Sequence, residues 1–418
     1  MARILPFRAY RYTAKAGRPA DLLTQPYDKI TPEMQQAYLA RSPYNLVRLE
    51  LGPVRPSDSK TDNVYTRAAA YLRDWIDRGI LARDAEPALY PYFQEFVHPE
   101  TGERLTRKGF IGLGPVVDYS EGVVFRHEQT LSGPKKDRLE LLRATRAHLG
   151  PIFVLYADPE RCLEGMLEEA AAGAPLVEAA DENQTLHRLW RICEPAIVSR
   201  ICELMAPKKL LIADGHHRYE TALAFAQENP ELEAARWVMM TLVNMHSPGL
   251  KILATHRLVS GLAPGAIRRL LEQAAARYGL EELESPEELR RRWESPAGEA
   301  VRIGIAVRDP ERLYLLEFRR TPGLLNVTFL HQELLGQMLG IGEEDVREQR
   351  YLSYVRELDA AFRRLDRGDA DVAFLLEPAT VDQVAEVAFS GGVMPQKSTD
   401  FYPKLLSGLT IYRLEDGL

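Results

Sequence analysis

An apolar run that breaks at Asp214-Gly215 and resumes with a helical period constrains this chain more than any other stretch. Leu210, Leu211, Ile212 and Ala213 form a short apolar segment bounded by a turn signal, which predicts a buried strand. From His216 the period changes. Tyr219, Ala222, Leu223 and Ala226 recur at three- and four-residue spacing, so a helix follows. The chain therefore leaves a strand, turns at Gly215 and enters a helix. A helix start presents unpaired N–H groups at the positive end of the macrodipole.

Two histidines and an arginine occupy that start, in the order Asp214-Gly215-His216-His217-Arg218. Free N–H groups beside a guanidinium fork are how proteins hold phosphate or carboxylate. Gly215, His216, His217 and Arg218 are thus the candidate phosphate ligands. Asp214 can cap the helix, orient a histidine or take a proton, and His217 is a further acid–base candidate. The plain alternative is a turn with a cap. A cap alone needs neither imidazole nor guanidinium, which favours the anion site.

The segment ADGHHRYETAL resembles the signature of a prokaryotic family of unknown function whose members are often labelled SpoOJ/ParA/ParB/RepB-like. The resemblance extends over QPYDKI, SPYNLVRLEL, the stretch from FRHEQTL to RATRAHLGPIF, and MPQKSTDFYPKLLSGL. The shorter Gly-His-His-Arg turn is similar to the phosphate-binding turn of the ParB/sulfiredoxin superfamily. That superfamily includes CTP-dependent partition proteins, sulfiredoxin and a free serine kinase. The resemblance implies a central ParB/sulfiredoxin-like phosphate-binding unit and a nucleotide or pyrophosphate ligand. In the family pattern an aromatic is common where Asp400 stands, and a carboxylate there weakens an anion role for the loop around it.

At 418 residues the chain has room for two or three domains. A hydrophobic content of 45% and a charged content of 27% are those of a globular protein. No apolar run approaches a membrane span, and the start MARILPFRAYRY lacks the apolar core of a signal peptide, so a cytoplasmic protein is expected. The net charge of −7 gives no general attraction to nucleic acid. Cys162, Cys193 and Cys202 are scattered and odd in number, which fits reduced thiols, and neither a CxxC pair nor an HxxxH spacing suggests a metal site.

The remaining patterns predict an α/β (α+β) chain of mixed sheets with flanking helices. Three regions are expected: 1–110, an N-terminal α/β region; 111–260, the core with the DGHHR turn; and 261–418, a C-terminal α/β region. Thr31 and Pro32 start a helix, and the alternation in NLVRLEL predicts a half-buried strand. Residues 88–97 and 106–117 read as a hairpin, and 151–156 and 237–244 as strands. A helix over 135–149 would put Arg143 and Arg146 on one face, 264–296 reads as two exposed amphipathic helices split near Pro286, and 351–365 reads as a helix. Arg126, His127 and Glu128 precede a Lys- and Arg-rich turn, a second source of positive charge with Glu128 as a candidate base. Lys397, Ser398 and Thr399 could contact an anion in a loop that lacks P-loop spacing.

Three functions compete. A small-molecule phosphotransferase would hold ATP, ADP, CTP or pyrophosphate at the Asp214–Arg218 turn, with Mg a possible companion and an amino-acid hydroxyl such as serine as one acceptor. A ParB-like regulatory or DNA-partition protein would need a helix-turn-helix after the motif, but WVMMTLV follows instead, and no nucleic-acid partner is expected. A metal-dependent phosphohydrolase would need Asp214 and a neighbouring histidine to reach one ion, which adjacent residues at a helix start seldom do. Oligomeric state is not written in the pattern.

Overall fold

The computed structural model describes residues 1–128, 132–295, 298, 300–309, 311–319 and 324–417. Its fold is mixed α/β. Two compact units divide the chain: Met1–Arg126, Thr130–Lys251 and Pro403–Leu418 make the first, and His127–Gln129 with Ile252–Tyr402 the second.

The first unit is built on an eight-stranded sheet. Its strands are β1 (Tyr90–Val97), β2 (Arg104–Pro115), β3 (Val124–Phe125), β4 (Ile152–Tyr156), β5 (Val177–Ala180), β6 (Leu186–Leu189), β7 (Leu210–Asp214) and β8 (Trp237–Asn244). They lie in the order β3-β7-β4-β8-β2-β1-β6-β5. The strands expected over 151–156, 209–213 and 237–243 are therefore direct neighbours. β4 runs parallel to β8 and antiparallel to β7. The residues of β4 and β8 are all buried, as continuous apolar strands covered on both faces must be.

One face of this sheet carries Ile152, Val154, Leu210, Ile212, Val238 and Met240, packed with Leu163, Leu167, Ile201 and Met205 from the helices Cys162–Ala170 and Pro195–Met205. The opposite face is polar towards the β2–β1–β6 side. Arg107 pairs with Gln94 across β2 and β1, and Gln94 with His187 across β1 and β6. Residues 403–407 attach to this face. Gln94 Nε2 donates to the Lys404 carbonyl at 2.8 Å, Arg107 Nη2 to the Pro403 carbonyl at 2.5 Å, and the Leu406 N–H to Tyr92 Oη at 3.2 Å. Gly150 has no side chain because Ser407 leaves no room: a Cβ there would sit 2.5 Å from Ser407 Oγ.

Four local expectations are corrected. NLVRLEL does not form a strand. Val47–Glu50 is a single helical turn, and Asn45, wholly buried, accepts from the Val47 N–H at 3.0 Å. The helix α1 (Ser132–Thr145) stops before Arg146, whose φ of 46° leaves the helix, so Arg143 and Arg146 share no helical face. In place of a 351–365 helix the chain forms a strand, Leu352–Val355, and then a helix, Leu358–Asp366. Tyr351 to Val355 is rich in aromatic and β-branched residues, and packing beside His256–Val259 outweighs the helical spacing. Finally, Glu281–Leu283 is a strand between the two helices expected over 264–296. All three cysteines are free.

The second unit holds a six-stranded sheet: β9 (His256–Val259), β10 (Glu281–Leu283), β11 (Ala300–Val307), β12 (Arg312–Arg319), β13 (Leu352–Val355) and β14 (Val372–Leu376), ordered β10-β12-β11-β14-β9-β13. Leu289, Leu358, Ala361 and Leu365 from helices cover it, packing on Leu258, Ala306, Ala373 and Leu375. Among the described residues no helix is long and apolar enough to cross a membrane.

Candidate functional site

The strand, turn and helix read from the sequence are present: β7, then Gly215 at φ 94°, then α2 (His216–Glu228). The positive φ explains the glycine, since other residues enter that region at a cost. A bulge at Ala213 changes what Asp214 faces. Ile212 pairs with Val154, but Asp214 pairs with Phe153, one residue out of register. A one-residue slip moves a side chain to the other face, so Asp214 shares a face with Phe153 and not with apolar Ile212.

On that face Asp214 meets more positive charge than it can neutralise. Lys404 Nζ donates to Asp214 Oδ2 at 2.9 Å, and Arg218 Nη2 lies 3.9 Å from Oδ1. Arg218 also donates to the Pro151 carbonyl. Burial pushes the Asp214 carboxyl up, but Lys404 and Arg218, with Lys29 behind them, outweigh burial and hold it well below the usual carboxylate range. Asp214 does not cap α2. Gly215 is the N-cap and no side chain bonds there.

Arg107 is the group that the sequence did not reveal. It is 1% exposed, lies 4.6 Å from the Phe153 ring centroid, and donates to Gln94 Oε1 and the Pro403 carbonyl. These acceptors are all neutral, and Nη1 is buried without a hydrogen-bond partner among the described residues. Burial lowers its pKa to about 10, against the pull of Tyr92 and Asp214, so it stays charged at neutral pH. A buried guanidinium without a bonded carboxylate is costly. The only signal for it in the sequence was an arginine on an otherwise unremarkable strand.

Beside Arg218 lies a cavity of about 50 Å³, lined among others by Glu50, Arg138, His148, Leu149 and Thr221. Burial raises the Glu50 carboxyl above its ordinary value, while Arg138 and Arg218 oppose the rise. Burial lowers the His148 imidazole to about 4, so it is neutral at physiological pH. Farther along the polar face, His187 bridges Asp181 Oδ2 at 3.2 Å and Tyr92 Oη at 2.7 Å. That relay holds Tyr92 in place as the acceptor for Leu406.

The other candidates from the sequence fall into separate groups. His216 is buried and His217 half-buried at the start of α2. Arg126 donates to Glu220 Oε1 at 3.3 Å, and Lys135 bonds Glu220 Oε2 at 3.0 Å, so this basic pair serves a carboxylate of α2. His127, Glu128, Lys397, Ser398 and Thr399 belong to the second unit and cluster there. His127 Nε2 lies 2.7 Å from Thr399 Oγ1, and the Lys397 N–H donates to Glu128 Oε1 at 3.4 Å. Ser398 Oγ donates to the Pro395 carbonyl. Asp400 is buried and bonded by Arg356 at 3.1 Å. No cluster of three or more His, Cys, Asp or Glu that could hold a metal occurs among the described residues.

No curated protein matches the chain. Among solved structures it is similar to a conserved hypothetical protein from Pyrococcus furiosus, at 16% identity and a TM-score of 0.37 over 70% of this chain and 93% of that one. It is also similar to a free serine kinase in complex with AMP, at 16% identity and a TM-score of 0.38 over 70% of this chain and 89% of the kinase. A third is SbnI with a C-terminal truncation from Staphylococcus aureus, at 13% identity and a TM-score of 0.35 over 72% and 87%. The family described as "Protein of unknown function (DUF1015)" matches residues 4–361, and the chain belongs to that family.

Proposed function

We propose that the first unit binds the phosphate groups of a nucleotide or pyrophosphate at the Asp214–Arg218 turn and transfers a phosphoryl group to a small hydroxyl-bearing acceptor. The observation that carries this reading is the surplus of positive charge. Arg107, Arg218 and Lys404 gather around one carboxylate, and Arg107 keeps a buried N–H without a partner among the described residues. Phosphoryl transfer is mostly positioning and neutralisation of oxygens, which such a cluster supplies. Gly215 lets the backbone turn tightly, and the start of α2 adds its dipole. Asp214, ionised at neutral pH, orients the acceptor hydroxyl and receives its proton as the oxygen–phosphorus bond forms and the donor's bridging bond breaks. The cavity at Glu50, Arg138 and Thr221 takes the acceptor, and its volume of about 50 Å³ limits that acceptor to a small molecule.

Calorimetric titration of the full chain with ATP, ADP, CTP and pyrophosphate tests the reading. Arg107→Met replaces the charge with an apolar chain of similar reach, so folding is retained. Loss of a charge-assisted contact is worth about 1.5–3 kcal/mol, so affinity should fall roughly ten- to more than hundredfold. Equal affinity in Arg107→Met and wild type, or no binding of any of the four at millimolar concentration, overturns the proposal. Phosphoryl transfer itself is read by donor consumption that requires an added acceptor, with serine among those tried.

A further inference from the structure

The second unit contains another buried guanidinium that the reading above does not use. Arg257, on β9, is 1% exposed. Its Nη1 donates to the Thr255 carbonyl, and its Nη2 to the carbonyls of Lys397 at 3.1 Å and Gln396 at 3.4 Å. No carboxylate lies within ion-pair distance of it among the described residues, and Nε has no hydrogen-bond partner there. Burial lowers its pKa to about 10, with Tyr354 and Glu128 opposing, so the charge is kept at neutral pH.

Arg257 lines a cavity of about 20 Å³ within this unit. Thr255, Asn326, Gln383 and Ser398 line it too. Two helix starts face the same space. One is the beginning of the helix 326–338, and the other is Val381–Phe389, which Thr380 caps through the Gln383 N–H at 3.2 Å. Glu377 also borders the cavity, but Arg302 takes its carboxylate on two bonds, at 2.8 and 3.2 Å. Summed over these groups, the lining is left with the charge of Arg257.

We propose that this cavity binds the oxyanion head group of a small ligand, a carboxylate or a phosphate, with Arg257 as its cation. The Arg257 Nε–H, the Gln383 amide and the Thr255 hydroxyl are its donors. A volume of about 20 Å³ is room for one or two water-sized groups, so the head group enters and a whole nucleotide does not. Two helix dipoles favour negative charge in the same space. The site is separate from the Asp214 turn and does not depend on phosphoryl transfer there. The competing role for Arg257 is purely structural, a clamp on the carbonyls of Gln396 and Lys397.

The test uses the full chain carrying Arg107→Met, which weakens the proposed site of the first unit. Melting temperature and calorimetry are followed with sodium phosphate and sodium acetate at constant ionic strength, each against chloride. The expected result is saturable binding of at least one of the two anions, and the anion bound identifies the head group. Adding Arg257→Met should weaken it at least tenfold, and Gln383→Leu, on a half-buried position, should weaken it several-fold with folding intact. Neither anion binding, or binding unchanged by both Arg257→Met and Gln383→Leu, overturns the proposal. If Arg257→Met does not fold, Gln383→Leu together with Thr255→Val decides, and unchanged affinity in that pair overturns it. An arginine that only clamps the loop predicts a lower melting temperature in Arg257→Met and no anion-dependent shift in its parent.

Discussion

The carboxylate of Asp214 has its nearest bonded partner in Lys404 and a second cation in Arg218. Its folded pKa lies below the unfolded value of about 3.9, so its stabilisation is complete above that pH and is lost as pH falls through the folded pKa. Asp214→Asn leaves Lys404, Arg218 and Arg107 without their anion. The variant should lose about 3 kcal/mol at pH 7, since removing one partner strands buried charge. The gap to wild type should begin to narrow as pH falls below about 4, because the carboxyl of the unfolded chain takes up a proton there while the folded one stays ionised. Urea unfolding at pH 7 and at pH 3 reads both values. A gap of equal size at the two pH values would show that shape, not charge, is what Asp214 contributes. Arg218 also changes meaning at this scale. It bonds the Pro151 carbonyl, so it is not a purely ligand-facing arginine, and Arg218→Ala should lower both the melting temperature and phosphate affinity.

Between β7 and α2 the chain reverses at one residue, and Gly215→Ala tests that element directly. A Cβ would meet the Arg218 guanidinium at 3.0–3.1 Å, and the φ of 94° disfavours any side chain. The guanidinium can swing aside, so the backbone sets the stability cost at about 1–2 kcal/mol. Displaced from Asp214, Arg218 should also bind phosphate less well, and a melting curve with a titration checks both. This turn was legible because two periods meet at Asp-Gly. NLVRLEL was not. Its alternation matches a strand, but Asn45 satisfies the Val47 N–H and turns the chain into a helix, which only the tertiary setting decides. Arg107 and Lys404 were invisible for a related reason. Each sits on a segment with no chemical signature of its own, and only the fold sets Lys404 against Asp214 and leaves Arg107 without a bonded carboxylate among the described residues. The bulge at Ala213 was equally hidden, since a single extra residue leaves no mark on a four-residue apolar run.

At the scale of the whole molecule, the first unit is assembled from pieces far apart in sequence. Residues 403–418 return to it after the second unit has been traversed. They supply Lys404, the carbonyls that hold Arg107 and Gln94, and an edge pairing of Tyr412–Arg413 with Ala147–His148. A chain stopped at Tyr402 should lose phosphate binding and melt earlier, whereas Lys404→Met should lose binding with a much smaller change in melting temperature. Circular dichroism melts and calorimetry on the two proteins separate the missing side chain from the missing segment.

That return path also fixes an order of events on the ribosome. The strand, the bulge, the turn and Arg107 are all synthesised before residue 251, yet the lysine that meets Asp214 follows about 150 residues later. Until it emerges, a nascent chain carries a carboxylate and two arginines on a sheet face whose covering segment does not yet exist. Such a face is open to premature ligands and to other chains alike. A phosphate-bearing ligand at ambient concentration could occupy the exposed guanidiniums and act as a placeholder during translation. Refolding of the full chain should then be faster, and yield more native protein, with pyrophosphate present from the start than with pyrophosphate added after collapse.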